Sequence, residues 1–210
     1  MSARFSPESV LGTTLPSASG AYRLDQLLKS GGLAHAYLAA RVDAAGGLLA
    51  VKLMRPEVKG KPEVVARFER EALAASLVRH QNVIRVNEPV QHHAGLAYFA
   101  CEHLVGVDLA DQMASERKLA PERAIKIALG ASLGLAAAHE KGVVHRDVKP
   151  ENIFLVHAPD GREVPRVIDF GSAWLASDSF DRRSTDSASS PATLMRITQT
   201  TSFVGTPGYV

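Results

Sequence analysis

The chain has 210 residues and a mass of 22.4 kDa, enough for one good core or two small ones. Its 46% hydrophobic content and near-zero mean hydropathy indicate a soluble globular protein, and 24 basic against 22 acidic residues, spread along the chain, provide neither a nucleic-acid stripe nor a polybasic membrane anchor. The single cysteine, Cys101, excludes an internal disulfide framework, and there is neither a secretory signal pattern at the start nor an apolar run of bilayer length, so the expected location is cytoplasmic.

Residues 1–20 are rich in Ser, Thr, Pro and Gly with little periodicity and read as a flexible leader. From Tyr22 to Val42 the pattern is strand, glycine turn, strand, with the turn at Lys29-Ser30-Gly31-Gly32-Leu33-Ala34. Backbone N–H groups in such a hairpin can approach phosphates closely, although most hairpins of this kind are only turns. Leu48 to Met54 predicts a strand whose alternation puts Ala50 and Lys52 on one face. Pro62 opens a helix in which Val65, Phe68, Ala72 and Ala75 form a stripe, with Glu71 beside it and Glu69 farther out of phase.

Val83–Glu88 and Leu96–Glu102 predict two more strands around a polar turn containing His92, His93 and Gly95. No further ligand lies at a metal-like spacing from the histidine pair, which reads as part of a solvated turn. Asp108 to Ser115 predicts a short helix. Pro121 to Lys141 predicts a longer one, with a stripe of Ile125, Ala128, Leu129, Leu133 and Ala136 and a stop at Gly142, expected to form a buried pillar. Ile153–Val156 and Val164–Ile168 predict strands joined by a turn around Asp160-Gly161.

The chemistry concentrates in His145-Arg146-Asp147-Val148-Lys149-Pro150-Glu151-Asn152, followed by Asp169-Phe170-Gly171. A carboxylate, a nearby ammonium, an amide and a second carboxylate suit phosphoryl transfer, which needs positioning and charge neutralisation more than covalent help. Taken singly, each is more often a surface pair or a turn. Together and in this order they resemble the catalytic loop and metal-binding motif of protein kinases, and Lys149 is similar to the serine/threonine branch. The resemblance covers roughly residues 21–210.

This resemblance implies an α+β, two-lobe kinase-like fold: an antiparallel-sheet N-lobe with one helix (21–104) and an incomplete helical C-lobe (105–210), with 172–205 a mobile activation segment. It implies Asp147 and Lys149 as catalytic residues, and Asn152 and Asp169 as ligands of Mg²⁺. ATP would meet Gly31, Gly32, Ala50, Lys52, Glu71, Glu102, Leu104 and Phe154, with Cys101 at the back of the adenine pocket. His145 would be a packing residue, and Arg146 would pair with a phosphorylated segment carrying Thr198, Thr200, Thr201 and Ser202. Thr206, in Gly205-Thr206-Pro207-Gly208-Tyr209, would bond Asp147 and Lys149. The glycine hairpin departs from the family pattern, since Lys29 and Ala34 replace the first and third glycines and Ala36 replaces a valine.

The implied activity is transfer of the ATP γ-phosphoryl group to a protein serine or threonine, with ATP and a protein substrate as partners and neither nucleic acid nor a membrane segment. The alternative is a truncated or pseudo-kinase that binds nucleotide or a partner without catalysis. A small-molecule kinase fits Lys149 and Gly205-Thr206-Pro207 poorly. The alanine-rich composition suggests a bacterial source. The absence of Ala-Pro-Glu and of further helices before Val210 implies that the pillar helix keeps an apolar face exposed.

Overall fold

A computed structural model describes residues 6–18, 20–42, 47–176 and 206. A 3₁₀ turn at Pro7–Val10 precedes β1 (Thr14–Ser17), β2 (Gly20–Ser30), β3 (Ala34–Arg41), β4 (Leu49–Met54) and α1 (Pro62–Leu77). Then come β5 (Val86–His93), β6 (Leu96–Glu102), β7 (Gly106–Asp108), α2 (Leu109–Glu116) and α3 (Pro121–Glu140). β8 (Val143–Val144), β9 (Ile153–His157), β10 (Glu163–Val167) and β11 (Trp174–Leu175) complete the described elements.

The first half is an antiparallel sheet ordered β1-β2-β3-β4-β6-β5. Alternation sends Tyr22, Leu24, Tyr37, Ala39, Val51 and Leu53 to one face, where they are buried in one cluster. On the other face α1 lays Phe68 and Ala72 against Phe99 and Ala97, with the Phe68 and Phe99 rings 5.2 Å apart. That contact fixes the rotation of α1 and aims Glu71 at β4.

The expected flexible leader is structured over its described part. Leu15 is buried, β1 pairs with β2, and Tyr37 and Tyr98 donate their hydroxyls to the Pro7 and Pro16 carbonyls at 2.8 and 2.7 Å. Ser- and Pro-rich composition concealed this, because an edge strand needs only one buried side chain and tolerates proline. His92 and His93 likewise belong to the end of β5 and not to the turn that follows.

In the second half α3 packs against β10 and β8, while β10-β9-β7 and β11-β8 form two small sheets. The buried side of α3 is Ile127, Gly130, Ala131, Gly134 and Ala138. The predicted stripe lies on the opposite side, where Ile125 is 67%, Leu129 59% and Leu133 46% exposed. A helix that is apolar nearly all round has a weak phase signal, and here close approach selected the small face. A β-carbon on Gly134 would stand 2.5 Å from the Asn82 carbonyl oxygen, so no larger residue fits there. Asn82 is buried, donates its side-chain amide to Pro165 O at 2.7 Å and accepts from Val167 N–H at 2.8 Å, anchoring the strand that leads to Asp169.

Candidate active site

The two halves meet at a narrow cleft lined by Lys52, Glu71, Ile84, Cys101, Asp169 and Phe170. β4 places Lys52 on its cleft face, in register with Ala36 on one side and Phe99 on the other. Its ammonium forms an ion pair with Glu71 from α1, whereas the alternative, Glu69, pairs with His92 at the surface. Burial opposes the charge on Lys52, but Glu71 and Asp169 outweigh it and hold the lysine above its ordinary pKa. Lys52 is therefore a fixed cation between two carboxylates.

Behind this pair Cys101 donates its thiol to Ala50 O at 3.5 Å, and burial pushes its pKa up to about 12, so it is inert packing. Glu102 turns its carboxylate away from the cleft, pairing with Arg166 and accepting from Arg85 N–H at 2.7 Å. Its side chain thus clamps the two halves, so any adenine contact at this position falls to the backbone. Leu104 is half-buried, and Phe154 on β9 stands opposite Asp108 in the ladder to β7.

The candidate catalytic segment follows β8, which pairs with β11. His145 is buried with its ring edge-on to Phe170 at 4.8 Å. Its Nδ1 accepts from Asp147 N–H at 3.3 Å and its Nε2 lies 3.0 Å from Ile168 O, an arrangement satisfied by the Nε2–H tautomer. Burial lowers the histidine's pKa and favours that neutral form. His145 thereby ties the backbone beside Asp147 to the backbone beside Asp169. The sequence offered it only as packing, because a bridge between residues 23 apart leaves no local trace.

Asp147 is buried among donors. Thr206 donates its hydroxyl to Oδ1 at 2.5 Å, Lys149 Nζ lies 2.9 Å from Oδ2, and Asn152 donates to Oδ2 at 3.3 Å and to the Asp147 carbonyl at 2.8 Å. Burial pushes its pKa up, but Thr206, Lys149 and Asn152 overcome it and hold the carboxyl below its usual range. Lys149 also donates to Thr206 at 2.8 Å, closing a ring of three side chains. Asn152 further accepts Ile168 N–H on its backbone carbonyl at 2.9 Å, binding this network to the strand before Asp169.

Arg146 and Asp169 both hold left-handed backbone, at φ 64° and 60°. Such conformations are strained for residues with a β-carbon and survive where surrounding bonds dictate them. Asp169 is held by Gly171 N–H donating to its Oδ1 at 3.2 Å. Arg146 is exposed and stacks its guanidinium 5.6 Å from the Trp174 ring centre, a partner the sequence did not suggest. Thr198, Thr200, Thr201 and Ser202 lie outside the described residues. In the glycine hairpin Gly31 is needed for space, since its β-carbon would stand 2.9 Å from Ala34 O, while Gly32 has open surroundings.

The site therefore offers a buried cation paired across two elements, a carboxylate held ionised within a hydroxyl–ammonium–amide ring, and a second carboxylate facing the cation. Residues 22–210 match the family model described as the protein kinase domain. Serine/threonine-protein kinase PkaB of Streptomyces coelicolor is 34% identical over 193 residues, covering 90% of this chain and 42% of that protein. PknB of Mycobacterium tuberculosis is 32% identical over 201 residues, covering 94% of this chain and 29% of its own length. The chain thus spans less than half the length of these curated relatives. Among solved structures, the Mycobacterium tuberculosis PknI kinase domain superposes with a TM-score of 0.60 at 26% identity, over 71% of this chain and 59% of that one. With the Lys52–Glu71 pair, the Asp147 network and Asp169 brought to one cleft, this chain belongs to the protein kinase domain family, among relatives that are bacterial serine/threonine-protein kinases.

Proposed function

We propose that this site transfers the γ-phosphoryl group of ATP to a serine or threonine hydroxyl of a protein. The observation that carries the reading is the ring of Asp147, Lys149 and Thr206. A carboxylate kept ionised beside an ammonium can orient an incoming hydroxyl and take up its proton, while the ammonium offsets charge on the transferred group. Lys52, fixed by Glu71, would hold the α- and β-phosphates, and Gly31 and Gly32 would cover them.

The family implies a divalent metal, and magnesium fits the donors present. Asn152 spends its amide N–H on Asp147, leaving its oxygen as the group able to ligate, and Asp169 supplies a hard carboxylate oxygen. Two protein oxygens, phosphate oxygens and water suffice for Mg²⁺, which neutralises charge on the β- and γ-phosphates when bound. Ala50 and Phe154, with the backbone at Glu102 and Leu104, would enclose adenine. Arg146 would receive phosphate from the segment containing Thr198, Thr200, Thr201 and Ser202, exchanging the Trp174 ring for an anion.

The domain boundaries that accompany this reading are 21–104 for the sheet half and 105–210 for the helical half. Among the described residues no helix is long and apolar enough to cross a membrane. ATP supply and a thiol without a disulfide partner favour action in the cytoplasm.

The test is phosphate transfer from γ-labelled ATP with Mg²⁺ to a serine/threonine peptide library, using the full-length gene product. Replacing Asp147 with Asn should reduce kcat by about 10²–10⁴ with MgATP affinity retained. Undiminished transfer in that variant would remove Asp147 from the mechanism.

A further inference from the structure

The hairpin that lacks two of its expected glycines is tied to the opposite side of the cleft. Lys29, Ala36 and Lys52 stand side by side in register across β2, β3 and β4, so their side chains share the cleft face of the sheet. Lys29 reaches down from that face and places Nζ 3.0 Å from Oδ2 of Asp108, 79 residues away. Asp108 ends β7, whose partner strand β9 follows Asn152 directly, so the ion pair joins the roof of the cleft to its floor.

The two partners differ in freedom. Asp108 has an 8% exposed side chain and caps α2, accepting Asp111 N–H on Oδ1 at 3.0 Å, so its place is secured without Lys29. Lys29 has a 70% exposed side chain on a flexible stem and can leave at small cost. A fixed carboxylate and a free ammonium on opposite walls make a reversible closure.

We propose that Lys29 and Asp108 form a latch that holds the glycine hairpin down across the cleft and must open for nucleotide to enter or leave. That its passenger is a nucleotide rests on the kinase reading; the latch itself does not. Because the lysine end of the tie is mostly exposed, salt weakens it and the triphosphate competes directly for the lysine. A charged tie would thus replace the closure that backbone amides alone give a glycine-rich hairpin.

Hydrogen–deuterium exchange at the amides of residues 30–34 reads the latch without ligand. In the full-length protein, Lys29→Gln and Asp108→Asn should each speed that exchange about two- to fivefold, and the double variant should be no faster than either. Asparagine keeps the cap, so exchange in α2 should stay unchanged; if it rises, the Lys29→Gln variant alone decides. Stopped-flow dissociation of MgATP should accelerate by a similar factor in Asp108→Asn. Unchanged exchange at residues 30–34 in Lys29→Gln, or additive effects in the double variant, would overturn the latch. Failure of the unaltered protein to bind MgATP would instead count against the kinase reading, leaving the exchange result to stand on its own.

Discussion

The catalytic segment and the glycine hairpin face each other across one cleft and are held by opposite means. Asp147 is fixed by Thr206, Lys149 and Asn152, by a backbone bond to buried His145, and through it to Ile168. Among the described residues the hairpin has one ion pair to the other wall, made by a side chain that is mostly in water. Buried, mutually satisfied polar networks fix geometry, whereas an exposed pair contributes little and breaks easily. The proposed phosphoryl transfer would ask for both: reacting groups that do not move and a cover that does.

Replacing Lys52 with Met tests the rigid side most severely. The exchange strips Glu71 of its cation while burial still opposes the carboxylate's charge. Breaking a buried pair from one side costs about 3–5 kcal/mol, and the lower end fits a lysine whose side chain is 26% exposed. Urea unfolding should show a loss of about 3 kcal/mol, and transfer should fall at least 10²-fold. A variant as stable as the parent would mean that α1 is oriented by Phe68 alone and not by its ion pair.

Thr206→Val is a smaller perturbation that separates geometry from charge. It removes a hydroxyl that donates to Asp147 and accepts from Lys149 while keeping shape. Hydrogen bonds to charged groups are worth about 1.5–3 kcal/mol, so kcat/KM should fall about ten- to a hundredfold, with Thr206→Ser recovering most of it. The pH dependence carries a sign. Asp147 has its pKa depressed in the folded protein, so its contribution to stability is present above the ordinary carboxylate pKa and is lost as pH falls through the folded value. The stability gap between parent and Thr206→Val should therefore be full at pH 7 and shrink below about pH 4. A gap independent of pH would assign Thr206 a packing role only.

The contrast between the two regions also explains what the sequence could convey. Glu71 stood out from Glu69 because a helical stripe reports one face, whereas Lys52, Asp147, Lys149, Asn152 and Asp169 were legible only through their resemblance to a family motif, since each alone reads as a surface charge or a turn. The buried side of α3 was not, since steric room beside Asn82 and Pro165, set by a distant strand, chose glycine and alanine over leucine. β1 was concealed by composition. The Glu102–Arg166 clamp and the Lys29–Asp108 tie join positions 64 and 79 residues apart, and no local pattern encodes a meeting at that distance.

The smallest effect concerns Arg146, where strain and stacking oppose each other within the rigid segment. Its left-handed backbone disfavours any residue with a β-carbon by about 1–2 kcal/mol, and its guanidinium regains about 0.5–1 kcal/mol from the Trp174 face. Arg146→Ala forfeits the stacking and keeps the strain, so it should lose about 0.5–1 kcal/mol. Arg146→Gly forfeits the stacking and relieves the strain, against a penalty of about 0.4–1 kcal/mol for a more flexible unfolded chain. Glycine should therefore equal or exceed alanine in stability here, the reverse of their order at ordinary positions. Trp174 is the chain's one tryptophan, so its emission reports the loss of the guanidinium directly. Alanine more stable than glycine would show that the catalytic segment relaxes its backbone once the arginine is gone, making this side of the cleft less rigid than its bonds imply.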